Sequence, residues 1–170
     1  MYSRRSWPSC GLLVASLFAF TQPAVAQSDV QGVGTWKLNL SKSKLGPGAP
    51  PLSLISRIEA TESGTKVTGV RIDAEGKRTV ASYTAKVDGK DYPIRGSANA
   101  ETVSLRRIDA RTIERIDKRA GKIVESSTTV FSEDGLSSIT TGKGHCSRGE
   151  EFNYTVVNER QTKDATRPSS

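Results

Sequence analysis

Cysteine, histidine and aromatic side chains are scarce in this chain, and each scarcity removes a class of function. Two cysteines and one histidine occur in 170 residues, too few for the spaced ligand pairs of a structural zinc site. Cys10 lies in an N-terminal segment with the build of a removable leader, which leaves Cys146 with no cysteine to pair with inside the chain. Stability must then come from a core and a sheet. Long apolar runs are missing too: Gly11 to Phe20 spans 10 residues, about half of what a helix needs to cross a hydrocarbon core. No stretch carries the period of a long amphipathic helix, and no Ser-His-Asp, Cys-His or paired-carboxylate arrangement stands out as catalytic machinery.

The first 26 residues read as an export signal. Arg4 and Arg5 precede the apolar run, and Ala24-Val25-Ala26 supplies small residues for cleavage before Gln27. Ser3-Arg4-Arg5-Ser6-Trp7 is similar in part to a twin-arginine signal, with the ordinary secretory route preferred. The expected location is therefore periplasmic or secreted, with no transmembrane segment after cleavage. The leader takes two arginines and no acid with it, so the net charge falls from +7 to +5. Acids are interleaved with the bases, as in Arg57-Ile58-Glu59 and Glu114-Arg115-Ile116-Asp117, which excludes the one-sided basic face of a nucleic-acid binder.

What is present is strand grammar. Turn chemistry recurs at short intervals at 62–64, 73–76, 88–89, 120–121 and 134–135. Between the turns lie runs rich in Val, Ile, Thr and Tyr. They predict strands near 34–40, 52–61, 66–72, 79–87, 102–108, 112–118, 123–132, 136–142 and 152–158, with a short tenth piece at 92–95. Ser41 to Leu45 is expected to form one helical turn before Gly46-Pro47-Gly48-Ala49-Pro50-Pro51 forces an extended link. Short strands joined by tight turns exclude a parallel α/β sheet. Pairing of the first strand with the last would remove both edges, so the expected fold is an all-β, antiparallel up-and-down barrel of about 8–10 strands over residues 27–160. Residues 161–170 are polar and aperiodic and are expected to be disordered.

Gly34-Thr35-Trp36-Lys37-Leu38, the first strand after the leader, resembles the Gly-x-Trp of the lipocalin-like, or calycin, barrels, which include the fatty-acid-binding proteins. The resemblance implies that Trp36 closes one end of the barrel and packs against a basic residue at the end of the last strand, where Arg160 sits, with Gly34 belonging to the same closure. It also implies a small amphipathic or hydrophobic ligand. The longer pattern from Gly34 through Thr102-Val103-Ser104-Leu105-Arg106-Arg107 is similar to an exported bacterial family of unassigned function. Neither the helix-turn-helix lid of fatty-acid-binding proteins nor the full second lipocalin signature is present.

Arg106, Arg115 and Tyr154 are the candidates for gripping an anionic head group, since guanidinium and phenol make directional bonds to a carboxylate. His145 and Cys146, adjacent in a glycine-rich stretch read as a turn from Gly142 to Gly149, are the weak candidates for metal, haem or thiol chemistry. No cofactor is called for. The alternative to a carrier is a solidly packed barrel whose loops bind an envelope protein, and cavity volume discriminates between the two. Oligomeric state is not fixed by the sequence.

Overall fold

The computed structural model describes residues 32–145 and 149–162. Residues 1–26, where the leader is expected, Cys146 and residues 163–170 lie outside the described residues. Among those described, ten strands follow one another: β1 (Gly34–Lys44), β2 (Ser53–Thr61), β3 (Gly64–Ile72), β4 (Arg78–Ala85), β5 (Tyr92–Arg95), β6 (Thr102–Arg107), β7 (Thr112–Arg119), β8 (Lys122–Phe131), β9 (Ser137–His145) and β10 (Glu151–Gln161). Each pairs antiparallel with its sequence neighbours, and β1 pairs with both β2 and β10. The chain is thus an all-β, closed, up-and-down barrel, and closure leaves no sheet edge between first and last strands. No helix of the described residues is long and apolar enough to cross a membrane.

Turn chemistry sets the register. Asp73 accepts from the backbone N–H groups of Glu75 and Lys77 and folds the β3–β4 hairpin. The β7–β8 hairpin has positive φ at both Ala120 and Gly121, the geometry whose twist matches flanking strands. A register shift follows between Asp117 and Lys118, so that Asp117 stands opposite Glu125.

Three sequence expectations change here. The helical turn at Ser41 to Leu45 is a bulged continuation of β1, because local polar side chains take over the ladder. Asn39 accepts from the Lys42 N–H and the Ser41 hydroxyl. Ser43 Oγ donates to the Asn39 carbonyl and accepts from the Val157 N–H, holding β1 to β10 where direct pairing lapses. The strand β9 runs past the expected end at Gly142 to His145, so Gly144 belongs to a strand and not to a turn. Gln161, expected in the tail, is the last residue of β10 and pairs with Thr35.

The core is lopsided. Ala85, Val103 and Leu105 are buried together on β4 and β6, with Tyr83, Val87, Tyr92, Ile94 and Ile113 packed around them. Much of the opposite wall, on β8 and β9, faces inward with Ser127, Thr129, Ser138, Thr140 and two glycines. Small and hydroxylated side chains cannot reach the axis, so the middle of the barrel stays open.

Candidate functional site

One end of the barrel is shut. Trp36 is 3% exposed, its ring meets Phe131 edge-on at 5.5 Å, and its Nε1 donates to the Gly32 carbonyl at 2.6 Å. Arg160 lies over the indole at 6.0 Å and donates to the Val33 carbonyl. Gly34 has φ +142°, and a Cβ there would lie 2.8 Å from Arg160 Nε. Glycine at this position is thus fixed both by backbone conformation and by the guanidinium that crosses it. Gly34, Trp36 and Arg160 together form an end wall. An exposed cation-π pair contributes about 0.5–1 kcal/mol.

Above that wall is a chamber of about 180 Å³, lined by Trp36, Tyr83, Leu105, Ile113, Phe131 and Arg115 together with serine and threonine hydroxyls. Thr129 and Thr140 hydrogen-bond one another at 2.8 Å across β8 and β9, so that part of the wall satisfies itself. A second chamber of about 370 Å³ lies towards the other end, between Asn99, Arg115, Asp117, Glu125, His145 and Phe152 among others. Arg115 lines both. Arg115 and its partner Asp117 thus stand as a polar waist between the two spaces.

The waist is assembled by register. Leu105 on β6 faces the interior, and its partner on β7 is Arg115, which must therefore face the interior too. Two positions on, Asp117 shares that face and clamps the guanidinium: Nε donates to Oδ1 at 2.8 Å and Nη2 to Oδ2 at 2.7 Å. The guanidinium also stands 5.2 Å from the centre of the Tyr83 ring. On the same wall, next to Asp117 in the β7–β8 pairing, Glu125 Oε1 accepts from the Tyr154 hydroxyl at 2.5 Å, the phenol reaching it from β10 over β9. Asp117 keeps 8% of its side-chain exposure and Arg115 36%, and Arg115 is ringed by protein, so that remaining surface belongs to the hollow interior.

Electrostatics follow from this packing. Burial draws the Arg115 guanidinium down, but Tyr83, Asp117 and Glu125 outweigh it and hold the group above its ordinary value. Burial raises the Tyr83 phenol, with Arg115 opposing and Asp117 reinforcing. Tyr154 is raised by burial first and then by the neighbouring Glu125 carboxylate. Both phenols stay protonated, and Arg115 stays charged.

Of the residues expected to hold a ligand, Arg115 and Tyr154 come to the interior and Arg106 does not. Its partner is Glu114, on the outer face of β7, and the two form an exposed ion pair at 2.9 Å. Alternation decides this: with Leu105 inside, Arg106 must point out. The grip on an anion also meets a competitor, because Asp117 and Glu125 already take up donors of Arg115 and Tyr154. Those two carboxylates were missed by sequence reasoning. Their signal was parity, since Asp117 lies two positions from Arg115 and Glu125 lies six from the buried Phe131. His145 is exposed at the rim, 3.4 Å from Glu151, and no cluster of three metal-ligating side chains forms among the described residues.

No family model matches the chain, and no curated protein matches it. Among solved structures, the chain is similar to zebrafish ileal bile acid-binding protein complexed with cholic acid. That likeness has 9% identity and a TM-score of 0.45, covering 76% of this chain and 98% of the other. It is also similar to the siderocalin Ex-FABP, described as acting through dual ligand specificities, at 10% identity and a TM-score of 0.32 over 76% of this chain and 74% of that one.

Proposed function

We propose that this chain is an exported, non-enzymatic barrel that binds a small amphipathic molecule in its interior and carries or holds it in the cell envelope. The carrying observation is the unfilled interior: an apolar chamber ending on Trp36 and Phe131, a polar waist at Arg115, and a wider chamber beyond it. A solidly packed barrel acting only through its loops has no use for that space, so the plug alternative loses ground. Small-molecule sites usually occupy about 300–1,000 Å³ and combine apolar walls with a few convergent polar groups. The inner chamber is below that range. A ligand of ordinary size therefore extends through the waist, with its apolar end towards Trp36 and its polar end among Arg115, Asp117, Glu125 and Tyr154.

Location in the envelope rests on the leader-like first 26 residues. Native mass spectrometry of the protein purified from its own envelope tests the reading. The expected spectrum shows a non-covalent small-molecule adduct that is lost on denaturation. An empty protein, with no adduct regained on incubation with an envelope lipid extract, overturns it.

A further inference from the structure

From the waist we infer that the head group of the ligand is a cation, a protonated amine carried on an apolar chain; this rests on the interior-binding reading above. Three observations converge on it. The first is the use of donors. Arg115 spends Nε and Nη2 on Asp117, and Tyr154 spends its hydroxyl on Glu125. An anionic head has to displace the chain's own carboxylates to reach those groups.

The second is a surplus of acceptors. Asp117 and Glu125 stand opposite each other across β7 and β8 and both line the mouth chamber. Of the groups turned inward there, the Arg115 guanidinium faces the two carboxylates, and this inward set carries one negative charge beside protein, where charges act more strongly than in water. A carboxylate has about four acceptor sites, and among the described residues the side-chain hydrogen bond to Glu125 comes from the Tyr154 hydroxyl. Arg119 and His145 also line this chamber. They are exposed at the rim, where Arg119 donates to the Ala98 carbonyl and His145 faces Glu151, so salt and water screen them.

The third is aromatic. Phe152 and Tyr154 stack at 6.2 Å with an interplanar angle of 21° beside Glu125, and ring faces attract ammonium groups while offering nothing to an anion. Glu125 with two stacked rings forms a seat for an amine between waist and mouth.

Isothermal titration of the full chain at neutral pH with octylammonium, 1-octanol and octanoate separates the claims. All three share one tail and differ in head charge. Octylammonium is expected to bind about tenfold or more tighter than 1-octanol, with octanoate weakest, given the strength of hydrogen bonds to charged groups. Glu125→Gln should abolish the preference of the amine over the alcohol, with circular dichroism checking that the variant folds. If 1-octanol binds and octanoate equals or exceeds octylammonium, the cationic head is wrong and the interior site stands. If none of the three binds, both readings are overturned.

Discussion

The ring of Tyr154 lies across the backbone of Gly142, so close that a Cβ at position 142 would come within 2.4 Å of Cζ and 2.5 Å of the hydroxyl oxygen. The two residues are partners across β9 and β10. Because Gly142 has no side chain, the phenol can pass over β9 and reach Glu125 on β8. Phe152 repeats the arrangement over Gly144, where a Cβ would lie 2.9 Å from the ring and 2.3 Å from the Val124 carbonyl. The glycines of β9 are what let two rings lie along the wall of the barrel.

Gly142→Ala is accordingly expected to destabilise the barrel, although alanine is ordinarily the better strand residue. The added methyl overpacks the wall and pushes Tyr154 away from Glu125, at a cost of about 1–3 kcal/mol. Thermal unfolding followed by circular dichroism measures this. A melting temperature equal to that of the parent chain contradicts the account of the Tyr154 reach.

Asp117→Asn removes the charge that balances Arg115. Breaking a fully buried pair costs about 3–5 kcal/mol, but Arg115 retains contact with the hollow interior and water there lessens the penalty. A loss of about 2 kcal/mol in urea unfolding is expected. A double substitution with Arg115→Gln should recover part of it, because no unmatched guanidinium remains. Failure of the double variant to improve on the single one speaks against a coupled pair.

Alkali should act through the phenols. Tyr83 and Tyr154 are raised by burial, and Tyr92 by burial together with its bond to Asp88. An unfolded tyrosine ionises near pH 10 while these resist, so unfolding releases protons in that range and stability falls as pH rises. The contribution is complete below about pH 10 and is lost as pH climbs through the folded values. Near-ultraviolet titration should show tyrosinate appearing late and together with loss of sheet signal. Early, independent ionisation of all the tyrosines contradicts the burial described.

Much of the architecture could be read from residue order. Dipeptides such as Asp88-Gly89 and Asp134-Gly135 marked the turns, and Val103 and Leu105 marked one face of β6. The first departure came at Ser41 to Leu45, where hydroxyl and amide side chains bond to the nearby backbone in a way that turn propensities do not encode. The site was half legible for a physical reason. Alternation relates residues within one strand, but which parity faces inward depends on register against the neighbours. Arg106 and Arg115 look alike in sequence, and only the pairing of Leu105 with Arg115 sends one inward and the other to Glu114. Asp117 and Glu125 read as surface charges because the closing of a barrel, which is a long-range event, is what encloses them.

The account centres on an interior that admits a ligand as far as Trp36, and the fluorescence of that indole reports it directly. In the full chain carrying Trp7→Phe, Trp36 is the remaining tryptophan, and it lines the inner chamber. Titration with 1-octanol is predicted to change its emission saturably, at one probe per chain. Emission that stays constant up to the solubility limit of the probe contradicts an accessible chamber and with it the central claim.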